Sequence, residues 1–241
     1  MKKRKLFCEI SPVCYRISLQ KEYLLRDLHD RFSGEKFARE INTLPLPEVV
    51  KSHTSPILRR LEGVDMELQR NKAHNLRLAC AKINGITLRP GETFSFWRLV
   101  GKPGEKQGYR EGLVISAGKL GKGIGGGLCQ LANLIHWLIL NSPLTVTELV
   151  HHSDALFPDS GRRVPFGTGT SVFYKNVDYR FMNTTDRTVQ PGGARIPLHI
   201  PHNRGKPGIY RGGRRILPGQ PGVPRNAGPR PPGNAPGTGS G

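Results

Sequence analysis

Acidic residues, cysteines and long apolar runs are all scarce in this sequence, and each scarcity closes off a class of protein. Only 18 Asp and Glu stand against 37 Lys and Arg in 241 residues, a formal +19 at pH 7. No run of about 18 apolar residues occurs and mean hydropathy is −0.43, so no membrane-spanning helix is expected. Four cysteines are too few for a disulfide scaffold. Neither a Gly-X-Y period nor sustained heptads are present, which removes collagen, coiled-coil and repeat architectures. A basic globular protein of one or two domains remains.

Two textures of sequence meet near Gln190. From Pro191 to Gly241, 24 of 51 residues are Pro or Gly, eight are Lys or Arg, and none is acidic. Such a segment has too little apolar surface to offset the entropy of ordering it, so a disordered tail over 191–241 is expected. Arg, Gly and Pro are also what GC-rich codons encode, so a frameshift would leave the same kind of text. The residues before it keep 29 Lys and Arg against all 18 acidic residues, a formal +11. An RNA-binding reading rests on the tail alone, and nucleic acid is not the partner expected of the body.

The first twelve residues begin like a secretory leader, with Lys2-Lys-Arg-Lys5, but Glu9 and Pro12 interrupt it before an apolar stretch of about 7 to 15 residues can form. A cytoplasmic chain with reduced cysteines is the expectation. Leu24, Leu25, Leu28 and Phe32 recur at helical spacing and stop at Ser33-Gly34. Thr43–Pro47 reads as a linker. Ile57, Leu58, Leu61, Val64 and Leu68 point to a second helical region, and residues 1–63 are taken together as a helical N-terminal segment. Asn75–Ile83 continues as a helix ending at Asn84-Gly85, a pair suited to a left-handed cap. Strands are then expected around Ile86–Leu88, Thr93–Trp97, Gly112–Ser116, Leu144–Glu148, Ser171–Tyr174 and Asp178–Phe181, with a type II turn at Pro90-Gly91. The fold class is α+β: helical first, then a strand-rich domain over 64–190 containing a glycine loop and helix.

The chemistry is concentrated at Gly121-Lys-Gly-Ile-Gly-Gly-Gly-Leu-Cys-Gln130, followed by the apolar helical stripe Leu131, Leu134, Ile135, Leu138 and Ile139. Cys129 falls in the first turn of that helix, where free amides and the dipole favour a thiolate. Gly125, Gly126 and Gly127 would let the backbone approach a ligand and present amides as an oxyanion hole, with Gln130 beside them. The Lys-Ser/Thr of a phosphate-binding loop is missing, and a tight strand-to-helix turn with a buried cysteine is the plain alternative. His151 and His152, 22 and 23 residues downstream, are candidate bases, and Asp154, Asp159 and Asp178 candidate partners for an imidazole. His136 is expected to pack. Cys129, His136, His151 and His152 lack paired metal-ligand spacing, so neither a metal nor another cofactor is expected.

Several motifs in fixed order make a resemblance specific. Asn75-Leu-Arg-Leu-Ala79, Asn84-Gly85, Arg89-Pro-Gly-Glu-Thr-Phe-Ser-Phe96, Gly108-Tyr109, Gly125-Gly-Gly-Leu-Cys-Gln130, His152-Ser153, Gly167-Thr-Gly-Thr-Ser171 and Asp178-Tyr-Arg-Phe-Met-Asn183 together resemble the VanW family, over roughly residues 64–188. The resemblance implies an accessory protein of glycopeptide resistance, with a peptidoglycan stem peptide or another cell-wall precursor as its partner. It further implies a cysteine-dependent L,D-transpeptidase: Cys129 as nucleophile, His152 as base, Asp178 orienting it, and the loop amides, Gln130 and His151 at the substrate. A module that holds an anionic precursor without catalysis is the alternative. Oligomeric state is not legible.

Overall fold

The computed structural model describes residues 7, 10–55, 57–58, 65–116, 119–151, 169–191 and 198–200. The chain divides into Met1–Gly205 and Lys206–Gly241, and the second unit lies outside the described residues.

The elements confirm an α+β fold with a helix first: α1 (Pro12–Phe32), β1 (Lys36–Phe37), β2 (Glu48–Lys51), α2 (Met66–Ile83), β3 (Glu92–Ser95), α3 (Phe96–Val100), a 3-10 turn (Glu105–Gln107), β4 (Glu111–Ser116), β5 (Lys119–Ile124), α4 (Leu128–Leu140), β6 (Thr145–Glu148), β7 (Arg180–Met182), β8 (Gln190–Pro191) and β9 (Leu198–Ile200). Ser11 caps α1 by accepting from the Cys14 amide, and Asp65 caps α2 by accepting from that of Glu67. Gly85 and Gly91 both adopt positive φ, as the cap and the turn require.

The main sheet has the order β1-β3-β7-β6. β1 runs parallel to β3, and β7 is antiparallel to both β3 and β6. Phe94 of β3 and Phe181 of β7 stack at 4.5 Å and are fully buried. Around them Leu76, Ala79 and Ile83 of α2 and Leu131, Ile135 and Leu138 of α4 close one core. β4 and β5 form a hairpin from Glu111↔Ile124 to Ser116↔Lys119, so the first half of the glycine run is strand and not loop.

Several expectations change. The N-terminal part is not purely helical: β1 lies in the main sheet, and β2 pairs with β9. Ile57 and Leu58 are irregular and exposed, while Leu61 and Val64 lie outside the described residues. Phe96-Trp97 opens α3 instead of extending β3, because the Ser95 hydroxyl accepts from the Arg98 amide and Asp178 from that of Trp97. Ser171–Tyr174 is not a ladder strand and carries one isolated bridge, Phe173↔Val177. The expected tail begins with order: Pro191 is buried in β8, and Leu198–Ile200 pairs with both β2 and β8. The rest of 192–241 lies outside the described residues.

α1 attaches to the sheet through charges. Arg180, 3% exposed, donates to Asp30, Glu35 and Asp178 at 2.8–2.9 Å. Arg26 pairs with Glu148 and, at 3.4 Å, with Asp30. Tyr23 meets Tyr174 edge-on at 5.6 Å.

Candidate functional site

Cys129 is the second residue of α4, after Gly127 at φ +102° as the helix's N-cap. Only glycine tolerates that conformation without strain, and a Cβ there would also stand 2.3 Å from Lys72 Cγ. At Gly126 the obstacle is another backbone: a Cβ would lie 2.3 Å from the Gly112 carbonyl carbon. At Gly125 it would strike Pro103 at 2.7 Å. The three glycines thus allow the chain to approach itself. Buried Asn75 fixes the arrangement, donating to Gly126 O at 3.1 Å and Arg110 O at 2.9 Å while accepting from the Arg110 amide at 2.8 Å.

The loop's amides are engaged as well. Those of Gly125, Gly126, Leu128 and Gln130 donate to Arg110 O, Gly123 O, Gly125 O and Gly127 O respectively. An oxyanion hole built from these four is therefore not what the geometry offers. Gln130 is half-buried and engaged within the chain.

The Cys129 thiol sits against the core and donates to Val172 O at 3.6 Å. Burial pushes its pKa above the ordinary thiol value and outweighs the smaller, opposing backbone contributions at Val172 and at Cys129 itself. Desolvation of the sulfur thus disfavours a resting thiolate at this helix start, against the electrostatic expectation.

Segment 169–172 lies along α4 beside that sulfur. The Thr170 amide donates to Asn133, one helical turn beyond Cys129. Thr170 also bridges His151, and Val150 O accepts from the Ser171 amide at 2.8 Å. His151 is exposed and its charge helps depress the pKa of His136, after the larger effect of burial. His136 packs as expected, its Nδ1 3.1 Å from the Tyr179 hydroxyl. His152, Asp154 and Asp159 lie outside the described residues.

Asp178 is elsewhere. Its carboxylate accepts from the Ser95 hydroxyl, the Trp97 and Tyr179 amides and Arg180 Nε. It joins α3 to β7 and lies 3.9 Å from Arg26 of α1; His152, the imidazole it was expected to orient, lies outside the described residues. Sequence reasoning missed the roles of Asn75 and Asn133. Asn75 stood inside a motif of the resemblance, where a buried amide opposite a glycine loop was the available signal.

The description "VanW like protein" belongs to the family whose sequence pattern matches residues 71–192. Over 160 residues the chain is 36% identical to the vancomycin B-type resistance protein VanW of Enterococcus faecalis, covering 66% of this chain and 58% of that protein. Over 120 residues it is 28% identical to the uncharacterized protein YoaR of Bacillus subtilis, covering 50% of this chain and 38% of that one. The chain thus spans less than two thirds of either relative. No solved structure matches it.

Proposed function

The chain belongs to the VanW family, and from that premise we propose that it serves glycopeptide resistance as a cysteine-dependent acyl transferase acting on peptidoglycan stem peptides. The observation that carries this reading is the tether beside Cys129. His151 bridges Thr170, Thr170 is held by Asn133, and Asn133 is one turn from the thiol, so His151 is tied to the cysteine's own helix, and His152 follows it directly in the sequence.

A thiol whose pKa burial raises calls for a base. The imidazole of His152 takes the Sγ proton as sulfur attacks the carbonyl carbon of an L,D peptide bond, so activation is by general base and not through a standing ion pair. The carbon–nitrogen bond then breaks, the same proton passes to the departing D-Ala amine, and a thioester remains on Cys129. An amine of a neighbouring stem attacks that thioester, forming the new amide, and the thiol is restored. Crosslinks made this way bypass the D-Ala-D-Ala end that the antibiotic holds.

The test is incubation of the full chain with tetrapeptide muropeptides, followed by intact mass. Expected are a tripeptide acyl adduct on Cys129, release of D-Ala, and loss of both in Cys129→Ser. Folded protein that yields neither product overturns the reading. The raised thiol pKa favours a second reading, a module that holds the precursor without chemistry. In that case Cys129→Ala retains muropeptide binding and no adduct ever accumulates.

A further inference from the structure

α1 is inverted relative to an ordinary surface helix. Its charged and polar side, Tyr23, Arg26, Asp27 and Asp30, faces the protein through Tyr174, Glu148, Lys175 and Arg180. None of its 21 residues is fully buried. At 3.6 residues per turn, Val13, Ile17, Leu24 and Leu28 form a stripe on the other side, broadened by Leu25 and Phe32. These side chains face outward, with Val13 64%, Leu24 60% and Phe32 78% exposed. Apolar side chains of this size are ordinarily buried, so a stripe of six turned outward marks an interaction surface and not scattered exposure.

From this arrangement we infer that the outward face of α1 docks on an anionic lipid bilayer, lying in the plane of the interface with the body held above it. Charge selects this occupant. Lys21 lies within the stripe and Arg31 along its edge, where long basic side chains can reach headgroup phosphates while their stems lie on apolar surface. Four of the first five residues, Lys2, Lys3, Arg4 and Lys5, precede the helix, and the intervening chain reaches at most roughly 25 Å. A net +19 repels a second copy of the chain and attracts anionic headgroups. Apolar side chains flanked by Lys and Arg on one helix are what an interfacial segment needs. The helix's own acidic residues do not oppose this: Asp27 and Asp30 pair with Lys175 and Arg180, and Glu22 stands 3.9 Å from Lys21.

The inference is independent of any acyl-transfer chemistry. Its test is flotation of the full chain with phosphatidylglycerol–phosphatidylcholine vesicles and with pure phosphatidylcholine vesicles. Expected is binding to the anionic vesicles that weakens at least tenfold at 0.5 M salt. The double variant Leu24→Gln/Leu28→Gln, whose sites are both exposed, should keep the wild-type circular dichroism and lose binding at least tenfold. Any of three flotation results overturns the proposal: folded wild type that does not float with anionic vesicles, binding that the double variant retains, or equal binding to neutral vesicles. A light-scattering mass twice that of one chain, abolished by the same variant, also overturns it and gives the face to a second copy.

Discussion

Asn75, Asn183 and Gln190 are buried side-chain amides that hold irregular backbone together. Asn183 donates to Leu88 O and Arg187 O, and Gln190 to Asn42 O while accepting from the Leu46 amide. Such groups are costly to remove because their partners are left buried and unsatisfied. Asn75→Ala should therefore destabilise the chain by about 3 kcal/mol, read as a lower urea midpoint with an unchanged slope. The glycines divide by the same logic. Gly126→Ala forces the backbone away from Gly112 and should cost about as much, whereas Gly121→Ala meets only Val114 Cγ2 at 3.8 Å and should be nearly neutral. Stability loss at Gly121 equal to that at Gly126 would remove the packing account of this run. For Cys129 the raised pKa sets an alkylation profile: iodoacetamide should react slowly at pH 7, and its rate should climb only at higher pH than that of a free thiol measured alongside. Rapid labelling at pH 6 would restore the resting thiolate. The position of Cys129 at a helix start was legible in the order of glycines and apolar residues. The shift of its thiol pKa was not, because that comes from burial, and the segment around Val172, 43 residues away, packs beside the sulfur only in the folded chain.

At the scale of elements, α1 is the instructive case. Its apolar spacing correctly announced a helix ending at Phe32, but periodicity cannot say which side meets the protein. The answer lies in Arg180 and Glu148, partners far along the chain. Asp30 carries the consequence. Burial alone would raise its carboxyl pKa, but hydrogen bonds and charge from Arg180, with Arg26 and Arg98, hold it below the ordinary value. A depressed carboxylate contributes stability above its unfolded pKa and loses it as the pH falls through the folded one. Asp30→Asn should therefore cost about 3 kcal/mol at pH 7, since it leaves buried Arg180 short of its charge partner. The gap to wild type should then narrow below about pH 4, measured by urea unfolding across that range. A gap independent of pH would mean that packing, and not charge, seats the helix.

For the whole molecule, the question is whether residues 1–63 fold apart from the rest. Helical spacing and the linker Thr43–Pro47 made that division look natural. The strands that cross the boundary are too short to register as periodic runs: β1 has two residues and β2 four. Their pairing with β3 and β9 depends on partners that no local pattern reveals. By contrast, α2, α4, β4 and β6 were readable because each is long enough, or apolar enough, to carry its own period. Contacts spanning the boundary include the Arg26–Glu148 and Asp30–Arg180 pairs and the Gln190 bonds to Asn42 and Leu44. Elements joined by buried ions and a shared sheet should lose their structure together. Thermal unfolding followed by circular dichroism at 222 nm reports α1, α2 and α4, whereas fluorescence reports Trp97 in α3 and Trp137 in α4. The two curves should coincide at one Tm. An earlier dichroism transition, with fluorescence unchanged, would show α1 melting away from a sheet that stands without it, and the charged seam would then be a weak latch.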